Sequence, residues 1–526
     1  MSEDEKMIWL AQNIGKLDGT GLIYTGTRID TETYAKWLQF VGVKAIDYNA
    51  GLDADTRRSI ESGLMQNKWK CVVSTNALGM GIDKPDIRFI IHTQIPASPI
   101  HYYQEIGRAG RDGKPTRIIL FYNESKDNGR EVPTDSVLPL SFIDGARPSI
   151  KKYQKVIELL KEEPLSEREI LKKANLKQTQ ARVIKADLID QGIIKEVIYG
   201  KAKKYEYQYN APVLNTKYFE KQRDAKLNEL HSMEQYIYTD MPRMKYLCKF
   251  LDSDEQMDYR NCDNTNLEKI HVVMSLELMK KLEDFRNTFF PILELASWTT
   301  KKCGFRVCIT SPKKILIEKT IKDQNNEVVK QYVNEYKNSI RTSDYTHEEV
   351  EIIKEHLRKA SHMVNGYAAS YYGTSNVGAA IHRSKYDNGG DFPDFLLKKT
   401  LSMFGKKFGD VKFDLVLYLP PTKSGDLVKN FAMKFASVIN VPISHALKKV
   451  RVTQEQKMFQ NSYSKRENVL GAFDIEDDII KGKTILLIDD IYDSGATIKE
   501  VGNLLTQKGA TYIVPIVIAK TVGGSL

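Results

Sequence analysis

The sequence has 526 residues, 41% of them hydrophobic, enough for three or four domains with cores of their own. It holds no apolar run long enough to cross a bilayer, and its acidic start, Ser2-Glu3-Asp4-Glu5, lacks the basic and apolar regions of a secretory signal, so no membrane partner is expected. Five cysteines, at 71, 248, 262, 303 and 308, make no disulfide framework and suit a cytoplasmic protein, while a net charge of +10 favours an anionic partner.

At the N-terminal end, Gly21-Leu22-Ile23-Tyr24 reads as a buried strand, Thr31 to Phe40 as a helix and Lys44 to Tyr48 as a second strand; Asn49-Ala50-Gly51-Leu52 leads into a helix through Met65. This alternation predicts a parallel sheet with helices on both faces. Two longer strings follow, Cys71-Val72-Val73-Ser74-Thr75-Asn76-Ala77-Leu78-Gly79-Met80-Gly81-Ile82-Asp83 and Tyr102-Tyr103-Gln104-Glu105-Ile106-Gly107-Arg108-Ala109-Gly110-Arg111-Asp112-Gly113. They resemble helicase motifs V and VI, and with Tyr48-Asn49-Ala50-Gly51-Leu52 they make residues 1–125 similar to the second RecA-like motor domain, motifs IV to VI, of RecQ-type DNA helicases.

The resemblance implies ATP hydrolysis in a cleft between two such domains, where a guanidinium from the second stabilises the transferring phosphoryl group, an effect of about 10³ to 10⁵ in rate. It implies that Arg108 and Arg111 are those groups, that Gln104 contacts the nucleotide or its water, that Asp83 couples the sites, and that Ser74 and Thr75 lie by the nucleic-acid backbone. The sequence contains no Gly-x-x-x-x-Gly-Lys-Ser/Thr and no Asp-Glu-x-His box, so ATP is expected only with a first motor domain from elsewhere. A truncated chain, a separate polypeptide carrying that domain, and conversion to a binding module all fit this absence.

Over 150–210, Tyr153, Val156, Ile157 and Leu160 keep helical spacing, Ser166-Glu167-Arg168-Glu169 is a capping box, and Thr179 to Gln191 makes a third helix with Gln178, Gln180, Arg182 and Lys185 on or near its exposed face. Ile193 to Ile198 and Lys204 to Tyr209 then form a hairpin tipped by Lys201, Lys203 and Lys204, which completes a winged helix. Duplex contact, mostly to phosphates through Arg182, Lys185 and the lysine tip, is one reading; protein docking is the other. Residues 215–268 resemble the helical zinc subdomain of RecQ enzymes, with Arg243, Leu247, Phe250 and Asn261-Cys262-Asp263-Asn264. That site needs four thiolates, whereas Met241, Tyr259 and Thr265 stand at three of the positions and Cys248 is off register, so a degenerate subdomain without zinc, packed by Tyr246 and Tyr259, is expected. Residues 269–345 are expected to connect the domains: Leu276 to Leu295 is helix-like, Arg306 to Lys319 suggests strands, Asp323 to Asn326 a turn, and Cys303 and Cys308 a half-buried strand.

In the last part, 346–526, the apolar strand Thr484-Ile485-Leu486-Leu487-Ile488 ends in Asp489 and Asp490 and runs into Ile491-Tyr492-Asp493-Ser494-Gly495-Ala496-Thr497. Paired carboxylates at a strand end can accept hydrogen bonds from ribose hydroxyls, and the amides of a small-residue loop opening a helix at Thr497 can cradle a 5'-phosphate. Gly495 allows close approach, and Ser494 and Thr497 add hydroxyl donors. The segment resembles the phosphoribosyltransferase signature, and Pro420-Pro421-Thr422-Lys423-Ser424-Gly425, after the strand Asp414 to Leu419, resembles the pyrophosphate loop of that family. Val450 to Gln456, Lys465 to Phe473, and Lys385-Tyr386 are similar to the ComF type, associated with DNA uptake, over roughly residues 366 to 521.

The resemblance implies a type I phosphoribosyltransferase-like α/β domain binding Mg2+ and phosphoribosyl pyrophosphate through Asp489, Asp490, Asp493, Ser494, Gly495, Ala496, Thr497, Thr422, Lys423 and Ser424, with inversion at the anomeric carbon. The expected whole is an α/β multidomain protein. Its favoured reading is the C-terminal part of a RecQ-like ATP-dependent DNA helicase fused to a phosphoribosyltransferase, acting in DNA repair, recombination or uptake. Phosphoribosyl transfer delivered to DNA by a non-catalytic helicase-derived module, and a non-catalytic adaptor that senses phosphoribosyl pyrophosphate or a nucleotide, are the alternatives.

Overall fold

The computed structural model describes residues 1–78, 82–126, 131–200, 202–253, 261–296, 305–311, 313–322, 328–336, 340, 345–372, 376–387, 390–421 and 425–521. Five strands make the first sheet: β1 (Thr20–Tyr24), β2 (Ala45–Tyr48), β3 (Cys71–Ser74), β4 (Ile87–His92) and β5 (Arg117–Leu120). They are all parallel, in the order β2-β3-β1-β4-β5. Successive residues face opposite layers: Ile23, Val73, Phe89 and Ile91 pack with Trp37, and Leu22, Val72 and Ile90 with Ile60 and Leu64. The helix over Arg28–Phe40 starts three residues before the expected Thr31, because Thr27 and Asp30 cap each other's backbone amides.

The acidic N-terminus also folds. Glu3–Asn13 is a helix with a Ser2/Glu5 capping box, and it buries Met7, Ile8 and Leu10 in the first core. Its Lys6 is buried as well, with Nζ donating to both carboxylate oxygens of Asp135 at 2.9 and 3.0 Å.

Helices Ile150–Glu162, Glu167–Lys173 and Gln178–Asp190 share one small core, with Tyr153, Val156, Leu160, Ile170, Ile184 and Leu188 at its centre. The antiparallel pair β6 (Ile194–Tyr199) and β7 (Ala202–Tyr207) closes it. The hairpin is tighter than the pattern suggested: Tyr199 pairs with Ala202, and Gly200 takes a φ of 62° that suits a two-residue turn. A 23-residue helix, Thr216–Tyr238, and a short one, Arg243–Phe250, follow. Arg243 ties this region together: Nε and Nη2 donate to the Asp263 carboxylate at 2.8 and 2.7 Å, and Nη1 to the Ile237 carbonyl at 3.2 Å. Cys262 Sγ accepts from the Arg243 amide at 3.4 Å, Tyr246 packs against Tyr236, and Cys248 is buried. Tyr259 lies outside the described residues, as do Cys303 and Asp323 to Asn326.

The stretch 269–345, expected to be one connecting domain, is shared between its neighbours. Its helix stops at Arg286 rather than Leu295, and Leu282 and Phe285 join the N-terminal core beside Trp37. A two-residue strand, β8 (Ile292–Leu293), then pairs antiparallel with β12 (Gly366–Tyr371). Between them, β9 (Phe305–Ile309), β10 (Lys314–Lys322) and β11 (Val328–Tyr336) form an antiparallel sheet whose Val307, Ile309, Ile315 and Ile317 enter the C-terminal core. That core surrounds a second, largely parallel sheet in the order β13-β16-β17-β12-β8. Here β13 is Leu415–Tyr418, β16 is Thr484–Tyr492 and β17 is Tyr512–Lys520. The small pair β14 (Lys448–Lys449) and β15 (Phe473–Asp474) stands beside it.

Replacing Lys6 by Met should cost about 3–5 kcal/mol, because the buried Asp135 carboxylate would lose its cation. Chemical denaturation of the two proteins measures this, and a Lys6→Met, Asp135→Leu double variant should recover most of the loss.

Candidate functional site

Strand β16 decides the geometry of the C-terminal site. It does not end at Ile488: pairing with β17 continues from Asp489↔Val517 to Tyr492↔Lys520, so both acids lie on the strand and not beyond it. The neighbour β13 stops at Tyr418, opposite Ile488, which leaves the acid-bearing half open on that side. Ile485 and Leu487 enter one core layer and Leu486 and Ile488 the other. Pleating therefore starts Asp489 and Asp490 toward opposite faces.

Asp490 is buried and its carboxylate meets Lys385 Nζ at 2.6 Å. Burial works against the Lys385 charge, but the Asp490 carboxylate outweighs it and holds the ammonium above the ordinary lysine value. Asp489 accepts the Asp490 amide at 2.9 Å. Burial first, and the Asp490 charge second, push its carboxyl well up, with Lys385 and Lys449 only partly opposing. As the chain stands, then, Asp490 is a lysine-paired carboxylate rather than an open acceptor for a ribose hydroxyl, and Asp489 is short of positive charge. The sequence offers Lys385 only within the pair Lys385-Tyr386 and gives no reason to single out Lys449. Lysine spacing alone does not point to a strand that lies tens of residues further along the chain.

After Tyr492 the chain turns through Asp493 and Ser494 into the helix Ala496–Gln507, one residue before the expected Thr497. Gly495 caps it at φ 71°, and a Cβ there would lie 2.6 Å from Tyr492 Oη, so both the conformation and the space require glycine. Ser494 and Asp493 are exposed, Ala496 and Thr497 half-buried, and the Ala496 amide at the helix start donates to Ser494 Oγ at 3.5 Å. Asp493 pairs with Lys465, which sits on the helix Ser462–Val469. Thr422, Lys423 and Ser424 lie outside the described residues.

In the N-terminal domain, Asp83 and Arg111 come together, with Nη1 to Oδ1 at 2.7 Å and both side chains exposed. The arginine loop is anchored on the sheet: the Gly110 amide donates to Ile87 O at 3.1 Å and the Asp112 amide to Pro85 O at 3.3 Å. Arg108 lies beside Tyr24, whose ring stacks on His92. Gln104 is exposed on the helix Pro99–Ile106.

Of the residues expected at nucleic acid, two are placed otherwise. Ser74 is fully buried at the end of the interior strand β3 and donates to the Thr75 carbonyl, so its hydroxyl does not reach the surface. Lys185 is buried too, because its ammonium lies 4.3 Å from the Tyr205 ring centre, donates to Tyr205 Oη at 3.1 Å and pairs with Glu167. Thr75 is half-buried and accepts the Ala77 amide, and Arg182 is exposed. On the hairpin, Lys203 pairs with Glu196 at 2.6 Å and Lys204 donates to Pro164 O at 3.3 Å. Lys201 is outside the described residues.

The N-terminal unit is a helicase domain of RecA-like fold and the C-terminal unit a phosphoribosyltransferase domain. Residues 5–113 match the helicase conserved C-terminal domain, and residues 430–522 match the phosphoribosyl transferase domain. More particularly, the first is RecQ-like. It is 46% identical over 110 residues to ATP-dependent DNA helicase hus2/rqh1 of Schizosaccharomyces pombe, covering 21% of this chain and 8% of that protein. It is 40% identical over 109 residues to ATP-dependent DNA helicase RecQ of Pasteurella multocida, covering 21% and 17%. The chain thus spans less than a fifth of either relative. Among solved structures, the C-terminal domain of the DEAD-box protein Dbp5 is similar at 22% identity and a TM-score of 0.22, over 28% of this chain and 79% of that one.

The raised Asp489 gives a pH signature. An acid whose carboxyl titrates higher in the fold than in the unfolded chain stabilises the fold below about pH 4, the unfolded value, and loses that contribution as pH rises through the folded value. Asp489→Asn keeps the Oδ1 acceptor and removes the charge. Urea midpoints of this variant should gain steadily on the native protein between pH 4.5 and 8; a constant difference would contradict the assignment.

Proposed function

We propose that the chain is the C-terminal part of a RecQ-like ATP-dependent DNA helicase, working with a first ATP-binding motor domain, and that its fused transferase domain is a ComF-type phosphoribosyl pyrophosphate site. DNA repair, recombination or uptake is the setting this combination fits, in the cytoplasm. The observation that carries the reading is the arginine loop. Its backbone is fixed on β4, and it joins Arg111 to Asp83, so a guanidinium is held in a defined place on an exposed edge where a nucleotide bound by another domain can meet it. Gln104 in the last turn of the helix Pro99–Ile106 and Arg108 just past its end complete the catalytic set.

DNA is the partner that the relatives' names suggest. The three helices and hairpin of 150–210 have the order of a winged helix, and with Lys185 withdrawn, Arg182 and the hairpin lysines are what it offers to phosphates. Thr75 offers a further contact in the motor domain.

In the transferase domain, the loop from Asp493 to Thr497 is suited to the 5'-phosphate, with amides at a helix start and hydroxyls on Ser494 and Thr497. Asp489 fits Mg2+: a half-buried carboxyl at the strand end, on the strand that leads into the phosphate loop, is an oxygen donor for a hard cation. The metal would neutralise charge on the departing pyrophosphate. Asp490, held by Lys385, would fix the strand end and keep a cation beside the ribose. A second reading, phosphoribosyl transfer or phosphoribosyl pyrophosphate binding targeted to DNA by a non-catalytic helicase module, is favoured by Arg111 already having a partner within the chain.

Adding a RecQ-type ATP-binding domain should restore DNA-stimulated ATP hydrolysis, and Arg111→Ala should lower that turnover by about 10³ or more with DNA binding little changed. Equal turnover in the variant would remove Arg111 from catalysis; no turnover in either protein would favour the second reading. Separately, Asp489→Asn with Asp490→Asn should abolish Mg2+-dependent binding of phosphoribosyl pyrophosphate in calorimetric titration. Unaltered affinity would mean that the acids do not serve the ligand.

A further inference from the structure

Between β14 and β15 the chain makes a flap, residues 450–472, that lies against two partners at once. Within itself the flap is cross-tied. Asn468 exchanges two hydrogen bonds with the Gln454 backbone, at 3.0 and 2.8 Å. Gln456 Nε2 donates to Lys465 O at 3.2 Å, and the Arg451 guanidinium donates to the Asn468 and Leu470 carbonyls at 2.9 and 2.8 Å. These bonds tie the segment into one piece.

Its inner side meets the phosphoribosyl site. Lys465 pairs with Asp493 of the phosphate loop, Lys457 lies 4.9 Å from the ring centre of Tyr386, next to the Lys385 that holds Asp490, and Glu500 of the helix after the loop accepts the Gly471 amide at 2.8 Å. Its outer side meets the helix Glu167–Lys173 and the turn after it. Asn175 makes a two-way amide contact, donating to Met458 O at 2.8 Å and accepting from Gln460 N at 3.0 Å. Asn461 Nδ2 donates to Leu171 O at 3.0 Å, Lys172 pairs with Glu467, and the Arg168 guanidinium lies 5.0 Å from the Tyr463 ring centre. The turn that bears Asn175 leads directly into the helix Gln178–Asp190, whose Arg182 remains exposed.

The two units keep separate cores on either side of this seam, and a cavity of about 550 Å³ opens within it among Lys172, Arg451, Phe459 and Asn468. A seam held by directional polar contacts, without a shared apolar core, can open while both units stay folded. We infer that the flap couples the phosphoribosyl site to the winged-helix unit, so that a duplex bound on that unit and phosphoribosyl pyrophosphate with Mg2+ each tighten the binding of the other. The inference rests on the reading of both units given above. A duplex that steadies the helix pair around Asn175 steadies the flap docked on it, and with it Lys465 at the phosphate loop. By linkage the effect is reciprocal.

Asn175 supplies the test. Its φ of 49° is left-handed, so Asn175→Gly keeps the backbone conformation and deletes only the amide that grips the flap. In calorimetry on the full chain, saturating duplex DNA should tighten Mg2+-phosphoribosyl pyrophosphate binding about fivefold or more in the native protein, and leave it unchanged in Asn175→Gly. A thermal melt like the native one, or the same loss of coupling in Lys172→Ala with Arg168→Ala, would keep misfolding apart from uncoupling. No effect of duplex on the native protein, or an equal effect in the native protein and the variant, would overturn the inference. If the native chain binds no phosphoribosyl pyrophosphate, the reading of that site fails instead. Hydrogen exchange then decides the coupling: duplex should slow exchange across 450–472 in the native protein and not in Asn175→Gly, and unchanged exchange would overturn it.

Discussion

A carboxylate carried into the interior on a parallel strand needs a cation, and in this chain that need organises the C-terminal half. Because β16 stays paired with β17 through Tyr492, Asp489 and Asp490 are drawn into the sheet instead of being left on a loop. Asp490 then requires Lys385, which brings the segment after β12 over the strand end, while Asp489 has only the weaker influence of Lys385 and of Lys449 in β14. Only one of the two acids is matched. A carboxyl without a paired cation beside a helix start is what distinguishes this corner from an ordinary strand-to-helix turn, where acidic residues would be solvated and indifferent.

The N-terminal half follows a different logic. Its sheet is closed on both faces, so chemistry is confined to loops, and the loop with the two arginines is tied by its backbone to the edge of β4. A rigid guanidinium platform is of use chiefly to something bound elsewhere. The transferase half carries its charged groups on its own strand and flap; the helicase half offers its groups outward.

Much of this was legible in the residues, for physical reasons that also explain the rest. Short apolar runs such as Thr484 to Ile488 and Gly21 to Tyr24 read as buried strands, and the Ser166 capping box marks a helix start, as the structure has them. Pairings made at long range were not legible. Lys185 falls on the polar side of its helix by spacing, yet Glu167 and the Tyr205 ring draw it inward, and no periodicity contains that information. Ser74 looked accessible as part of a motif, but the last residue of an interior strand is covered by its neighbours. In the same way, the two acids read as a strand end because β17, which prolongs the strand, lies beyond the helix.

The two-residue strand β8 has a role out of proportion to its length. Ile292 and Leu293 pair with the outer side of β12, and Lys520 Nζ donates to Ile292 O at 2.8 Å. Without them β12 would present bare amides and carbonyls at the sheet's edge, an open template for a strand from another molecule. The residues that blunt this edge come from ahead of the antiparallel sheet, only a few positions after the helix that packs on the helicase core. A transferase fragment cut at residue 346 would therefore lose its edge guard and become prone to self-association, whereas one that begins before Ile292 would carry its own protection.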